Sequence, residues 1–321
     1  MKPYAIGMDV GGTKIAAGLV DRSGQILSRF TTHAHSEKQP QFVIQAIGQA
    51  FDTLLAQVKI PPQQIEAVGL GFAGTVNGPA GLVLISSNLP AWDHFPLRDV
   101  VAERVGVPVV LDNDTNICAL GEHRFGAGRD SQNMGYVTFS TGYGLGVILN
   151  GQLYVGHTGT AGEIAHVVVE PGGPPCTCGK RGCLMAFASG IGLSRMAYEK
   201  IEAGAETLLR ERQPANGERF TGRLIAEAAA ENDPVANEIL QVAGYYGGIG
   251  LSMIIQMFNP EIIVLGGGLL NVGDRLLAPM MTGMRENTQP ELLDSAQIVP
   301  WQLGNDLGIL GAASKVFAGV K

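Results

Sequence analysis

The sequence contains little charge, and the charge that it has is mostly negative. Asp, Glu, Lys and Arg make up 16% of the 321 residues, and the net charge is −7. Typical soluble domains have about 25% charged residues. Because 45% of the residues are hydrophobic, the composition excludes a disordered, charge-rich chain. Nucleic-acid binding relies on clustered positive charge, so the balance argues against nucleic acid as a direct partner.

From the sequence we expect neither a signal peptide nor a membrane span. Its first residues enter a strand pattern at once, without an apolar stretch or a small-residue cleavage site. Residues 239–260 carry no charge and are long enough to cross a bilayer. However, they include Gln241, Gln256, Asn259 and four glycines, which favour a buried helix. We therefore expect a cytoplasmic protein without a membrane anchor.

Cysteine is scarce and unevenly placed. Three of the four cysteines lie within eight residues, and a histidine precedes them by ten positions. Three thiolates and one imidazole suit a tetrahedral, structural Zn²⁺ site. A disulfide is the alternative, but a reducing compartment and an odd third cysteine disfavour it. The predicted zinc ligands are His166, Cys176, Cys178 and Cys183, and Gly179 and Gly182 would let the chain double back onto the metal.

Glycine is abundant, with 45 residues, and it marks a weak internal repeat. Residues 7–21 and 136–151 both have the pattern of a strand, a glycine turn with threonine, and a second strand. Two such hairpins facing each other across a cleft are the plan of the sugar kinase–actin superfamily. We therefore predict an α/β, actin-like fold with duplicated ribonuclease H-like domains. The expected domains are residues 1–115 with about 303–321, and residues 116–302.

The two hairpin turns are candidate phosphate sites. Glycines allow backbone N–H groups to converge on phosphate oxygens, and a threonine hydroxyl can add a donor. An acid beside the turn could face Mg²⁺ through water. The simpler alternatives are a tight turn with an incidental acid and, for the glycines after a later buried strand, a strand terminator. The predicted ATP-binding residues are Asp9, Gly11, Gly12, Thr13, Lys14, Thr141, Gly142, Gly266, Gly267 and Gly268.

A cluster of acids and amides follows the predicted strand at residues 108–111. It consists of residues 112–116, with the sequence DNDTN. A carboxylate there can accept the proton of a sugar hydroxyl as a phosphoryl group arrives. Alternatively, Asp114 or Thr115 caps the following helix, and both roles can hold together.

Together these motifs resemble the ROK family of repressors and sugar kinases, and the resemblance covers essentially the whole chain. The matching segments include DVGGTK, FAGTVNG, SSNLPAW, DNDTN, STGYGLG, AGEIAH with CTCGKRGC, NPEIIVLGGG and GNDLGILGAA. The resemblance implies that Asp114 is the catalytic base and that ATP, Mg²⁺ and structural Zn²⁺ are the cofactors. The sugar-binding residues that it implies are Gly74, Ser87, Asn88, Asn113, Asp114, Glu163 and His166.

The sequence departs from the family pattern at four positions within or next to the matching segments. Met185 stands where the family usually has a sugar-binding glutamate, and Ala165 replaces the glycine before the histidine. Ala73 replaces a proline and Ser140 a glycine. A sugar hydroxyl that met the missing glutamate would lose about 1.5–3 kcal/mol of hydrogen bonding. The sequence therefore does not identify which sugar is the substrate.

The resemblance implies an ATP-dependent kinase that phosphorylates a glucose-like hexose or an amino sugar at its primary hydroxyl. One alternative is a sugar-binding protein with weak or no kinase activity, which the exchange at Met185 motivates. Another is a transcriptional regulator, which would carry a DNA-binding segment ahead of the first glycine turn, where only eight residues precede Asp9. Family members commonly form dimers or tetramers, so a homo-oligomer is expected.

Overall fold

The computed structural model describes residues 1–34, 39–86 and 90–319. Its strands are β1 (Tyr4–Val10), β2 (Lys14–Asp21), β3 (Ile26–His33), β4 (Ile65–Phe72), β5 (Thr75–Asn77), β6 (Leu82–Ile85), β7 (Val109–Asn113), β8 (Met134–Phe139), β9 (Tyr143–Leu149), β10 (Gln152–Leu153), β11 (Ile262–Gly266) and β12 (Gln297–Pro300). Its α-helices are α1 (Pro40–Val58), α2 (Leu97–Val105), α3 (Asp114–Phe125), α4 (Gly190–Glu202), α5 (Gly222–Ala230), α6 (Pro234–Phe258), α7 (Asp274–Asn287) and α8 (Leu307–Phe317).

The strands form two five-stranded sheets and one small hairpin. The first sheet has the order β3-β2-β1-β4-β7, and the second has the order β10-β9-β8-β11-β12. In the first sheet β1, β2 and β3 are antiparallel neighbours, whereas β4 runs parallel to both β1 and β7. The strands that the sequence predicted at both hairpins are present. After the second hairpin, Asn150–Gly151 has the sequence typical of a type I′ turn, and its φ values of 51° and 72° are positive at both residues, as that turn requires.

The chain folds as two compact units. Unit 1 consists of Met1–Tyr136, Gly146–Gly162 and Trp301–Lys321, and unit 2 consists of Val137–Leu145 and Glu163–Pro300. This division differs from the expected boundary at residue 115, because α3 lies in unit 1. There α3 packs against α8, where Gly311 meets the backbone carbonyl of Ile117 without room for a side chain.

Unit 1 buries apolar side chains on both faces of its sheet. One face packs against α1 and α2, with Ile47, Phe51 and Leu54 of α1 in the core. The other face packs against α8, with Ile309 and Ala313 in a smaller cluster. Since parallel strands buried on both faces need apolar residues throughout, β4 is buried along nearly all of its length.

Helix α8 lies unusually close to the two central strands of unit 1. A β-carbon on Gly7 of β1 would collide with the carbonyl of Ile309, and one on Gly69 of β4 would collide with the carbonyl of Ala312. Glycine is therefore required at both strand positions, because any side chain would push the helix away from the sheet.

Residues 239–260 lie mostly within α6, as the sequence predicted. Their glycines let α7 approach closely, since a side chain on Gly248 would collide with the carbonyl of Met280. Across the described ranges, the helices fall short of the length and apolar character that a bilayer crossing demands.

Glu122 of α3 is a fully buried carboxylate that organises the C-terminal end of its helix. Its Oε1 accepts hydrogen bonds from the backbone N–H groups of Gln302 and Leu303, at 3.0 and 2.9 Å. Its Oε2 accepts from Ala127 N at 2.8 Å. The side chain therefore ties α3 to the segment that leads into α8.

We expect Glu122→Ala to destabilise the protein strongly. Three partly buried backbone N–H donors would lose their acceptor, and an unsatisfied buried donor costs about 1–3 kcal/mol. Denaturant unfolding should show a loss of about 3 kcal/mol or more. The exposed Glu103 of α2 offers a matched control, and Glu103→Ala should change the unfolding free energy by less than about 0.5 kcal/mol. Equal effects of the two variants would contradict this assignment.

Candidate active site and metal centre

The first phosphate turn lies between β1 and β2. Gly11 N donates to Lys14 O at 3.0 Å, which closes the turn, and Thr13 and Lys14 are exposed. Asp9 comes just before the turn. Burial raises the pKa of its carboxyl, and the positive charge of Lys14 partly lowers it. A cation bound at Asp9 would favour the ionised carboxylate, so this acid fits the oxygen ligands that Mg²⁺ prefers.

Helix α8 fixes the position of Asp9. A β-carbon on Gly308, in the first turn of α8, would lie 2.6 Å from the Asp9 β-carbon and 2.8 Å from its Oδ2. No larger residue fits at 308 without moving the acid. The sequence reasoning missed this function of Gly308, although the GNDLGILGAA segment was one of the matching motifs.

The DNDTN turn lies at the same edge of the sheet as Asp9. In the parallel register Asp9 faces Gly71 of β4, and Gly71 faces Asp112 of β7. The carboxyl ends of the three strands are therefore aligned, with Asp9 and Asp112 two strands apart, about 10 Å. Asp114, the predicted base, is the first residue of α3.

Asn113 caps α3, which corrects the expectation that Asp114 or Thr115 does so. Its Oδ1 accepts hydrogen bonds from Thr115 N at 2.8 Å and from Asn116 N at 3.3 Å. Its Nδ2 donates to Gly74 O at 2.9 Å. The side chain of Asn113 thus links the helix start to the loop that follows β4, and these contacts bring the predicted residues Gly74, Asn113 and Asp114 together.

Cys118 lies one turn after Asp114 on α3. Burial raises the pKa of its thiol, and the negative charges of Asp9 and Asp114 raise it further. Both acids are therefore near this thiol. The two predicted sugar-loop residues Ser87 and Asn88 lie outside the residues that the structure describes.

In unit 2 a cavity of about 310 Å³ adjoins the second glycine turn. Its lining includes Thr141 and Gly268, which the sequence assigned to ATP, together with Arg219. The starts of α4 and α5 also reach it, at Gly190 and Gly222. Helix N-termini and an arginine favour anions, so the cavity suits a phosphate-bearing ligand. The sequence reasoning did not find the two helix starts.

Gly267 shows that the glycine run after β11 also has a structural reason. Its φ is +99°, and a β-carbon there would collide with the backbone of Phe139. The alternative of a strand terminator therefore holds for this residue, while Gly268 faces the cavity.

The four predicted zinc ligands converge in unit 2. The ligand atoms of His166, Cys176, Cys178 and Cys183 all lie within 4.8 Å of one another. Cys178 Sγ is 3.7 Å from Cys183 Sγ, and tetrahedral Zn–S bonds of about 2.3 Å place two sulfurs at about this separation. All four cysteines of the chain have free thiols. The donor set therefore fits a structural Zn²⁺ ion.

The loop around this cluster depends on its glycines, as expected. Gly179 and Gly182 have φ values of +85° and +74°, and a β-carbon on Gly182 would collide with the carbonyl of Glu170. The Glu170 carboxylate in turn accepts a hydrogen bond from the Tyr246 hydroxyl on α6. The ring of Tyr246 stacks on Phe187 at 3.9 Å, which joins the loop to the helical core of unit 2.

The predicted sugar residues of unit 2 lie beside the metal cluster. Glu163 precedes the short 3₁₀ turn Ile164–His166, and its carbonyl accepts from His166 N at 3.1 Å. Met185 lies in the next short turn, Leu184–Ala186. Its methyl carbon would be 3.9 Å from a β-carbon on Gly142. Met185, which departs from the family pattern, therefore lies next to the second glycine turn.

Comparison with known proteins agrees with these features. The ROK family profile matches residues 5–318. The glucokinase of Halalkalibacterium halodurans is 34% identical over 309 residues, which cover 96% of this chain and 93% of that protein. The crystal structure of a ROK family glucokinase from Streptomyces griseus, in complex with glucose and AMPPNP, is 37% identical, with a TM-score of 0.81 over 98% of this chain and all of that one.

A ROK hexokinase from Thermus thermophilus is similar as well, with 32% identity and a TM-score of 0.82 over 98% of this chain and all of that one. These kinases have the actin-like α/β fold, so the fold expected from the paired hairpins is confirmed. The family match spans nearly the whole chain and includes both glycine turns, the Asp114 turn and the Cys–His cluster. The protein belongs to the ROK family.

Proposed function

We propose that this protein is an ATP-dependent sugar kinase that transfers the γ-phosphoryl group of ATP to the primary hydroxyl of a hexose. The observation that carries the proposal is the alignment of Asp9 and the Asp114 turn at one edge of the sheet, in register through Gly71. A phosphate turn and a general base must lie this close for direct phosphoryl transfer. The similarity to ROK glucokinases along the whole chain supports it.

In this proposal Asp114 accepts the proton of the sugar hydroxyl as that oxygen attacks the γ-phosphorus. The hydroxyl of Thr13 and backbone N–H groups of the first glycine turn, other than that of Gly11, which closes the turn, bind phosphate oxygens. Asp9 would hold Mg²⁺, which supplies charge neutralisation when it is bound with ATP. Glucose-like sugars are the first candidates, because relatives of this chain are glucokinases.

We assign the nucleotide to the cavity beside Thr141 and Gly268. Its volume of about 310 Å³ is within the usual range of ligand pockets. Arg219 and the starts of α4 and α5 supply positive potential there. Gly190 and Gly222 also line the cavity, and because they have no side chains they do not fill it. A side chain on Gly222 would collide with Leu269.

The metal in this proposal is structural. A Zn²⁺ ion held by the four ligands would fix the turn that carries Glu163 and His166, since Glu163 is only three residues from a ligand. Glu163 and His166 would then contact the sugar. We also propose, from the family resemblance, a cytoplasmic homo-oligomer, a dimer or tetramer, that does not bind nucleic acid directly.

Asp114→Asn should abolish sugar-dependent ADP formation. The amide cannot accept the hydroxyl proton, and general-base catalysis contributes about 10²–10⁴-fold to a rate. A coupled assay of ADP release with glucose measures the loss. Asp274, which is likewise the first residue of a helix but is not at the site, is the matched control, and Asp274→Asn should keep wild-type turnover. Full activity of Asp114→Asn would reject the assigned base.

Removing one zinc ligand should lower stability and sugar affinity together. Cys178→Ser should reduce bound zinc well below one ion per chain and lower the melting temperature, because a structural metal site stabilises its loop directly. The KM for glucose should rise more than the KM for ATP. Cys118→Ala, outside the cluster, should keep full zinc content by metal analysis. Zinc retained at full stoichiometry in Cys178→Ser would contradict the ligand set.

Restoring the family's glutamate should improve glucose binding. Met185→Glu adds a charged acceptor worth about 1.5–3 kcal/mol to a sugar hydroxyl, so the Kd for glucose should fall about tenfold or more. Isothermal titration calorimetry measures this, with the exposed Met257→Glu of α6 as control. An unchanged Kd would mean that residue 185 does not contact the sugar.

The same calorimetry separates the kinase from its nearest alternative. Tight sugar binding by the wild-type protein, without ADP formation for any hexose or amino sugar in a panel, would favour a sugar-binding protein without kinase activity. Met185 is the observation that motivates this second candidate.

A further inference from the structure

We propose that Lys315 of α8 and Asp112 of β7 are positioning residues for the base Asp114. This inference rests on the proposed kinase function and on the assignment of Asp114 as its base. Neither residue is among the predicted site residues, and neither is required to touch sugar or nucleotide. Their effect would pass through the turn between β7 and α3.

Asp112 uses both of its carboxylate oxygens to hold this turn. Its Oδ1 accepts hydrogen bonds from the backbone N–H of Asn113 at 2.9 Å and from Asn116 Nδ2 at 2.8 Å. Asn113 and Asn116 flank the base, one residue before it and two residues after it. Asp112 therefore fixes the chain on both sides of Asp114.

Lys315 binds the other oxygen of the same carboxylate. Its Nζ donates to Asp112 Oδ2 at 2.7 Å, and the side chain of Asp112 is only 2% exposed while that of Lys315 is 26% exposed. A buried carboxylate that loses its cation is strongly unfavourable. Without Lys315, Asp112 would have to draw in water or another donor, and the turn would have to adjust.

The contact between α8 and the sheet makes this pair a rigid link. Lys315 lies three residues after Ala312, whose carbonyl sits directly against Gly69 of β4. The helix cannot shift toward the strand, because backbone already meets backbone there. Lys315 thus reaches Asp112 from a helix whose position is fixed. The same helix packs against Asp9 at Gly308.

Two further contacts extend the link beyond Asp112. Asn113 connects the turn to the loop after β4 through its hydrogen bond to Gly74 O. On the other side, a β-carbon on Gly78 would lie 2.6 Å from Leu111 O and 3.7 Å from Asp112 Oδ2. The carboxylate is therefore enclosed by β7, α8 and the β5–β6 hairpin, and Lys315 is a cation in direct contact with it.

The test compares Lys315→Met, Lys315→Arg and Asp112→Asn in steady-state assays with ATP and glucose. Lys315→Met should lower kcat by about 10- to 100-fold, the scale expected when a catalytic group is misplaced by about 1 Å. The KM for ATP and the Kd for AMPPNP should stay within twofold of wild type. Lys315→Arg should recover most of the kcat, because it keeps the charge.

Arg29→Met is the matched control. Arg29 forms an exposed ion pair with Asp306, which directly precedes α8, at 2.9 Å. Its loss removes a cation at the start of α8, whereas Lys315 lies in the last turn of that helix. The Arg29 pair does not contact the Asp114 turn, so kcat should stay at the wild-type value. All assays are run well below the melting temperature of each variant, which thermal unfolding measures.

A double-mutant cycle separates positioning from general destabilisation. In the Asp112→Asn background, Lys315→Met should cost little further kcat, because the two residues act as one unit. Equal losses in both backgrounds, wild-type kcat in Lys315→Met, or loss of AMPPNP binding in that variant would each overturn the proposal.

Asp114→Asn, assayed in the same series, distinguishes the two levels of inference. If Asp114→Asn is inactive and Lys315→Met is fully active, the positioning role is wrong while the proposed function stands. If Asp114→Asn is active, the assigned base is wrong and the positioning role fails with it.

Discussion

The arrangement of unit 1 depends on the direct backbone contact between helix α8 and the central strands β1 and β4. Gly7 and Gly69 remove the side chains that would otherwise separate the helix from the sheet. Protein interiors are packed as densely as crystals of small molecules. The helix therefore cannot move far relative to the strands that it contacts. As a result the helix can hold Asp9 through Gly308 and Asp112 through Lys315. One helix thereby supports Asp9 directly and, through Asp112, the turn that carries Asp114.

Unit 2 contains a different feature that could order its chain. Its Cys–His cluster gathers four ligands from a short stretch of chain, and Tyr246 joins that stretch to α6 through Glu170 and Phe187. The small amount of regular structure between β10 and α4 gives this segment few ladder hydrogen bonds. A metal ion would supply the order that strands and helices provide elsewhere.

The abundance of glycine and the scarcity of charge have related explanations. Glycines occur where backbone must meet backbone, as at Gly7 and Gly248, or where φ is positive, as at Gly182 and Gly267. Charged groups that are buried have specific partners, since Glu122 is satisfied by three N–H groups and Asp112 by Lys315 and two donors. A buried charge without such partners would be costly.

The sequence by itself determined what depends on neighbouring residues: the two hairpins with their glycine turns, the type I′ turn at Asn150, and the clustering of His166 with three cysteines. Their signals are short-range, so spacing and residue type suffice. Only the tertiary structure decided that Asn113 caps α3, that α3 belongs with unit 1, and that Gly308 and Lys315 support Asp9 and Asp112. Those contacts join the last helix of the chain to its first strand and to β7, and no local pattern encodes which distant residue will be the partner.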